Sequence, residues 1–208
     1  MWHLNDPLAF LPQSIDGLYN KLDLLFRFQS TQWADVFCMQ PYMDNEKLPP
    51  LVFKIIRPFL MNNSLAISML KNEAEKSLLI DHPRFLKIRG LTKLYIIYDW
   101  IDGSPLNERK EVHQSNLAKD LLEIMSVLKE KELVHSNLIP ENILSGRDGR
   151  FYVTDLSLCF SIHTEHPFTD VVRDQTYVKV ELFDLQDRWL EIDSHSIQAI
   201  YEQYGKSK

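Results

Sequence analysis

The sequence predicts an α+β protein of two lobes, the first rich in strands and the second rich in helices. Three observations point to it. Short β-branched and aromatic runs crowd the first half, at Trp33–Met43, Leu51–Ile56 and Arg84–Ile101. Longer amphipathic runs dominate the second half. The 208 residues are 45% hydrophobic and 11% aromatic, too apolar for a disordered chain and enough to build a core.

Taken in order, Ser14–Gln29 places Leu18, Leu22, Leu25 and Phe26 at helical spacing, which predicts a helical extension over residues 1–29 that caps the first lobe. The first lobe then spans residues 30–102. Its strands are WADVFCMQPYM, the proline-bounded apolar run Leu51–Ile56, and two strands within Arg84–Ile101 joined by a turn at Gly90–Lys93. A helix of about four turns, Ser64–Ile80, lies between them. The second lobe, residues 103–208, opens with an amphipathic helix that sets Leu117, Leu121, Ile124 and Leu128 on one face. A hairpin follows with its turn in Ser145–Gly149, and the tail Asp184–Tyr204 reads as helical. That order of elements predicts two lobes with a cleft between them.

The net charge of −6 and the lack of a polybasic run argue against nucleic acid or an anionic membrane as partner. Cys38 and Cys159 sit in apolar contexts, which predicts free buried thiols in a reducing compartment. No basic segment followed by an apolar core marks a signal peptide, and no apolar run is long enough to span a membrane. The expectation is a cytoplasmic protein or a bacterial effector exported without a cleaved signal. His163, His166 and His195 lack the convergent partners a metal site needs, and Cys159 lacks a His–Asx companion, so neither group predicts chemistry. The acid-rich tail carries Leu182, Leu185, Trp189 and Ile192, the stripe of a packing helix.

Five segments carry the chemical signal: LVFKII at Leu51–Ile56, NEAEKSLLIDHPRFLKI at Asn72–Ile88, LYIIYDWIDGSPL at Leu94–Leu106, HSNLIPENIL at His135–Leu144, and YVTDLS at Tyr152–Ser157. In this order and spacing they resemble the protein-kinase superfamily, as a degenerate and truncated kinase domain. HSNLIPENIL shares seven of its ten positions with the HRDLKPENIL form of the catalytic loop. The resemblance implies a β-rich N-lobe, a shortened helical C-lobe and, as cofactors, ATP with Mg²⁺. It places Lys54 on the nucleotide phosphates and Glu73 on the helix as its ion-pair partner, with Glu75 the neighbouring alternative. A flexible ammonium needs such a carboxylate to hold it. It places Tyr98 at the gatekeeper position and Asp99 to Ile101 at the hinge, where Asp99 and Ile101 would meet the nucleotide. Asn142 and Asp155 would supply the hard oxygen ligands that Mg²⁺ prefers, and His135 would brace the metal-binding segment.

The departures from the family pattern are as specific. Asn137 stands where the catalytic base should be an aspartate, and a carboxamide cannot take a proton at neutral pH. Ile139 replaces a phosphate-neutralising lysine, Ser136 an arginine, and Leu156–Ser157 the Phe-Gly after the metal-binding aspartate. Val52 replaces the alanine above the adenine. No glycine occurs between Gly17 and Gly90, so Gln32 and Trp33 stand where backbone amides should close over the phosphates. No Ala-Pro-Glu follows, and Leu158–Lys208 are unassigned.

These features predict a pseudokinase acting as a regulatory or interaction module with a protein partner. An active ATP-dependent phosphotransferase with atypical residues, acting on protein, lipid or sugar, is the alternative. In that case Glu141 or a tail carboxylate would position the acceptor. A nucleotidyl transferase on a kinase fold is the lesser alternative.

Overall fold

The computed structural model describes residues 19–28, 31–109, 114–164, 168, 171 and 176–205. The chain divides into two compact units. The division falls at Ala74/Glu75, Leu86/Lys87 and Trp100/Ile101.

The first unit is built on a six-stranded antiparallel sheet. Its strands are β1 (Lys21–Arg27), β2 (Ala34–Met43), β3 (Glu46–Lys47), β4 (Leu51–Ile56), β5 (Ile88–Leu91) and β6 (Tyr95–Asp99). The order across the sheet is β1-β2-β4-β6-β5, with β3 paired to β2. Every residue of β4 is buried, as its unbroken apolar run requires of a central strand. Side chains alternate along a strand. Phe53 and Ile55 therefore join Phe37, Met39 and Ile97 in one apolar cluster, and Val52 and Lys54 point to the opposite face.

The helix expected over Ser14–Gln29 is corrected by β1. Residues 14–18 lie outside the described ones, but Lys21–Arg27 is a strand paired with β2, with a bulge between Leu24 and Phe26. The helical stripe found no core to bury it: Leu22 is buried, whereas Leu24, Leu25 and Phe26 are 41%, 47% and 42% exposed. The hydrogen bonds of an existing sheet edge decided the matter.

Helix α1 (Ser64–Leu79) starts where the Asn63 side chain accepts the Ala66 N–H at 3.0 Å, a cap that satisfies one orphan donor of the first turn. It buries Ala66, Met69, Leu70, Glu73 and Ala74, a stripe at helical spacing with one carboxylate in it. The β5–β6 turn falls at Thr92–Leu94, slightly later than the sequence predicts, because Gly90 and Leu91 still pair with β6.

The second unit contains β7 (Gly103–Pro105), α2 (Gln114–Glu130), β8 (Leu133–Val134), β9 (Ile143–Gly146), β10 (Phe151–Val153), β11 (Phe160–Ser161) and α3 (Leu190–Tyr204). β10, β9 and β7 form one small sheet, and β11 pairs with β8. The core holds Leu117, Leu121, Ile124 and Leu128 of α2 against Ile143, Phe151 and Val153 of the hairpin and Ile192 of α3. The expected tail helix is in part corrected. Val180–Asp184 and Gln186–Arg188 are 3₁₀ turns, and the α-helix begins at Leu190. Both cysteines are free and buried, and burial raises both thiol pKa values, that of Cys38 to about 11. Among the described residues no helix is long and apolar enough to cross a membrane.

Gly103 faces Gly146 across β7 and β9, and a Cβ on it would lie 2.6 Å from the Ser145 carbonyl oxygen and 3.0 Å from Gly146 Cα. Gly103→Ala is expected to push these strands apart and cost about 1–3 kcal/mol. A urea midpoint equal to wild type would refute that close packing.

Candidate functional site

Within the first unit, Lys54 comes from the middle of β4 and Glu73 from the buried face of α1. Lys54 Nζ lies 2.6 Å from Glu73 Oε2, with side chains 11% and 3% exposed. The other carboxylate oxygen, Oε1, accepts the Tyr98 hydroxyl at 2.7 Å. Tyr98 lies opposite Val52 in the β4–β6 register, so it shares a face with Lys54 one strand away. Val52 is itself buried on that face.

Asp99 ends β6 in a two-point ion pair with Arg89, at 2.6 and 2.8 Å. Ile101 is half-buried in the second unit. Just before β2 the Thr31 N–H donates to the Ala34 carbonyl at 2.9 Å. Phe26 and Phe28 pack on each other at 5.0 Å and on Trp100 at 5.5 and 5.8 Å between ring centroids.

Within the second unit, the loop after β8 is held from three sides. Asp193 of α3 is fully buried and accepts two backbone N–H groups, from His135 at 2.6 Å and from Ser136 at 2.9 Å. The His135 ring spans the loop, its Nε2 meeting the Thr154 carbonyl at 3.1 Å and its Nδ1 accepting the Asn137 N–H at 3.3 Å. Those two bonds select the neutral tautomer with its proton on Nε2. Ser136 Oγ donates to the Leu158 carbonyl at 2.7 Å, tying the loop to the segment after Asp155. Ser136 and Asp155 both have φ of 61°, a conformation that costs a side-chain-bearing residue about 1–2 kcal/mol. The surrounding hydrogen bonds hold them there.

Asn142 and Asp155 flank the β9–β10 hairpin. The Asn142 carbonyl accepts the Thr154 N–H at 2.9 Å, and its side-chain Nδ2 donates to the Asn137 carbonyl at 3.0 Å. Its amide oxygen therefore points away from that bond. Asp155 Oδ1 accepts the Ser157 N–H at 3.3 Å. Ile139 packs against the core of the unit. Glu141 is exposed and accepts from Asn107 at 2.9 Å. Among the described residues no group of three or more His, Cys, Asp or Glu is placed to hold a metal ion. His163 meets Glu132 at the surface, and His166 lies outside the described residues.

Three further side chains organise these units through contacts that sequence reasoning missed: Asp193, Tyr98 and Asp120. Asp193 sits inside the tail stripe beside Ile192, and a carboxylate next to an apolar helix face was the available signal. The bond from Tyr98 to Glu73 has no local signal, because the partners are far apart in sequence. Asp120, on the buried face of α2, holds the hairpin. It accepts from Arg150 at 2.7–3.0 Å and from the Phe151 N–H at 2.8 Å. Its place between Leu117, Leu121 and Ile124 was a readable sign.

A lysine–glutamate pair on a β-sheet and helix, followed by a second unit whose loop and hairpin carry Asn142 and Asp155, make this a protein-kinase-like chain of α+β architecture. Known proteins agree in class. The chain is 25% identical to the serine/threonine-protein kinase PrkC of Bacillus subtilis over 123 residues, 54% of this chain and 19% of that protein. It is 24% identical to Aurora kinase C of Mus musculus over 106 residues, 46% of this chain and 38% of that protein. It is 29% identical to the cAMP-dependent protein kinase catalytic subunit 3 of Drosophila melanogaster over 122 residues, 53% of this chain and 19% of that protein. The matched segments thus span between 19% and 38% of these relatives. No family model matches the chain.

Proposed function

We propose that this chain is a pseudokinase, a regulatory or interaction module that binds a protein partner and does not transfer phosphoryl groups. The observation that carries this reading is Asn137. It occupies the position of the catalytic base in a loop whose backbone is otherwise held firmly by Asp193 and His135. A carboxamide there can orient an acceptor hydroxyl but cannot remove its proton. Ile139, turned to the core, adds no charge to offset a transferring phosphoryl group.

The cofactor fit is mixed. Asp155 and the amide oxygen of Asn142 are hard donors of the kind Mg²⁺ takes, and they would hold it. The ion would there offset phosphate charge. Lys54, fixed by Glu73, suits a nucleotide phosphate. The segment between β1 and β2 suits it poorly, since bulky Gln32 and Trp33 stand where glycines would let backbone amides reach phosphate. An atypical active phosphotransferase is the second reading, favoured by the intact Lys54–Glu73 pair at 2.6 Å.

The test has two stages. Melting temperature is measured with and without Mg·ATP for wild type, Lys54→Ala and Asp155→Ala. Ligand at about 100 times its Kd adds about 2.7 kcal/mol, a visible shift. Transfer of label from γ-phosphate is then assayed for wild type and Asn137→Asp. The proposal expects no transfer from wild type. Transfer that Asp155→Ala abolishes overturns it in favour of the second reading.

A further inference from the structure

We infer that Tyr98 is a positioning residue: through Glu73 it holds Lys54 and helix α1 in the paired arrangement before any ligand arrives. The inference rests on the kinase-like reading of Lys54 for its functional consequence, and on geometry alone for the rest. Three polar groups stand in line within the first unit. The Tyr98 hydroxyl donates to one oxygen of Glu73 at 2.7 Å, and the other oxygen meets Lys54 Nζ at 2.6 Å. Tyr98, Glu73 and Lys54 are 4%, 2% and 9% exposed.

A buried lysine–glutamate pair is a weak lock by itself. Desolvation opposes both charges, and the long lysine side chain surrenders rotamer freedom. A phenol changes this in two ways. Its hydrogen bond favours the ionised carboxylate over the neutral acid. It also fixes the carboxylate from a second direction, so that Glu73 is held between two strands. Tyr98 is suited to the task because it projects from the buried strand β6 and turns on only two side-chain torsions. The register places it diagonally across from Lys54, with Val52 as its direct neighbour. α1 is thereby tied to β4 and β6 by one carboxylate, at the end of its buried stripe Ala66, Met69, Leu70, Glu73, Ala74. Lys54 need not wait for a bound anion to be drawn into place.

Tyr98→Phe in the full chain removes the hydroxyl and keeps the ring. Two readouts are taken without nucleotide: the pH titration of the Glu73 side-chain carboxyl by ¹³C NMR, and amide hydrogen exchange over Met69–Ala74. Loss of the donor is expected to raise the Glu73 midpoint and to speed exchange in that segment by about tenfold. A Glu73 midpoint equal to wild type, with unchanged exchange, overturns the inference. Should the variant fail to fold, unliganded wild type decides. Amides of Met69–Ala74 as well protected as those of β4 support the lock, and exchange about a hundredfold faster than in β4 overturns it. Phosphoryl transfer by wild type would overturn the pseudokinase reading and leave this inference standing. An unmoved Glu73 midpoint with unchanged exchange would do the reverse.

Discussion

Asp193→Ala is expected to destabilise the protein by about 2–5 kcal/mol. The two N–H groups it serves, those of His135 and Ser136, belong to fully buried residues. Each unpaired buried donor costs about 1–3 kcal/mol, and the vacated volume adds to that. The loss also has a location. Ser136 is held at φ of 61°, and without its anchor it is expected to relax and release the Leu158 carbonyl. Urea unfolding measures the total, and a loss below about 1 kcal/mol would refute the role.

The same carboxyl gives the protein a pH dependence of defined sign. Burial pushes the Asp193 pKa up to about 7 from 3.8, against the opposite pull of the two N–H groups. The folded protein therefore keeps a proton that the unfolded chain gives up. The stability this group contributes is fully present below about pH 4 and is lost as pH rises through about 7. The change is on the order of 4 kcal/mol at most. Asp193→Asn removes the titration and retains one acceptor. The difference in urea midpoint between wild type and Asp193→Asn should change steadily across that range in the asparagine variant's favour. Parallel pH profiles would show that the carboxyl is ionised throughout.

The second large effect is expected at Asp120. It is fully buried on α2, pairs with Arg150, lies 3.8 Å from the Nε of buried Arg84, and accepts the Phe151 N–H. An unpaired buried donor costs about 1–3 kcal/mol, and the volume left by a fully buried side chain adds to it. Asp120→Ala leaves the Phe151 N–H unpaired and takes from Arg84 one of its two carboxylates, Glu123 remaining 3.5 Å from its Nε. The consequence reaches the candidate site, since Phe151 opens β10 and Asn142 and Asp155 flank that hairpin. Hydrogen exchange over Ile143–Val153 should accelerate in step with the fall in urea midpoint. Asp120→Asn, which keeps an acceptor for Phe151, should lose less. Equal stability of Asp120→Ala and wild type would sink the account.

Much of this protein was legible in one dimension. β2, β4, α1, α2 and the β9–β10 hairpin fall where side-chain periodicity puts them, because their periods match the face each element buries. Both cysteines are buried and free, as their apolar contexts predict. Segment order and motif spacing gave the kinase-like class, and they located the pairing of Lys54 with Glu73 rather than Glu75. Asn137 and Ile139 were readable as departures from the resembled pattern because side-chain identity is read directly from the sequence.

Tertiary structure alone decided the rest. Residues 21–27 carry a helical stripe, yet pairing with β2 made them a strand, since long-range hydrogen bonds outweigh a stripe that finds no core. Tyr98 reads as a bulky strand residue until folding brings its hydroxyl to Glu73 across 25 positions of chain. Asp193 reads as one more acid in an acidic tail until α3 carries it beneath a loop 58 residues away. The sequence by itself determined which residues prefer burial and which can do chemistry, because those are properties of side chains and their local spacing. Which buried donor meets which buried acceptor was set only by the packed fold, where removal from water makes each such meeting obligatory.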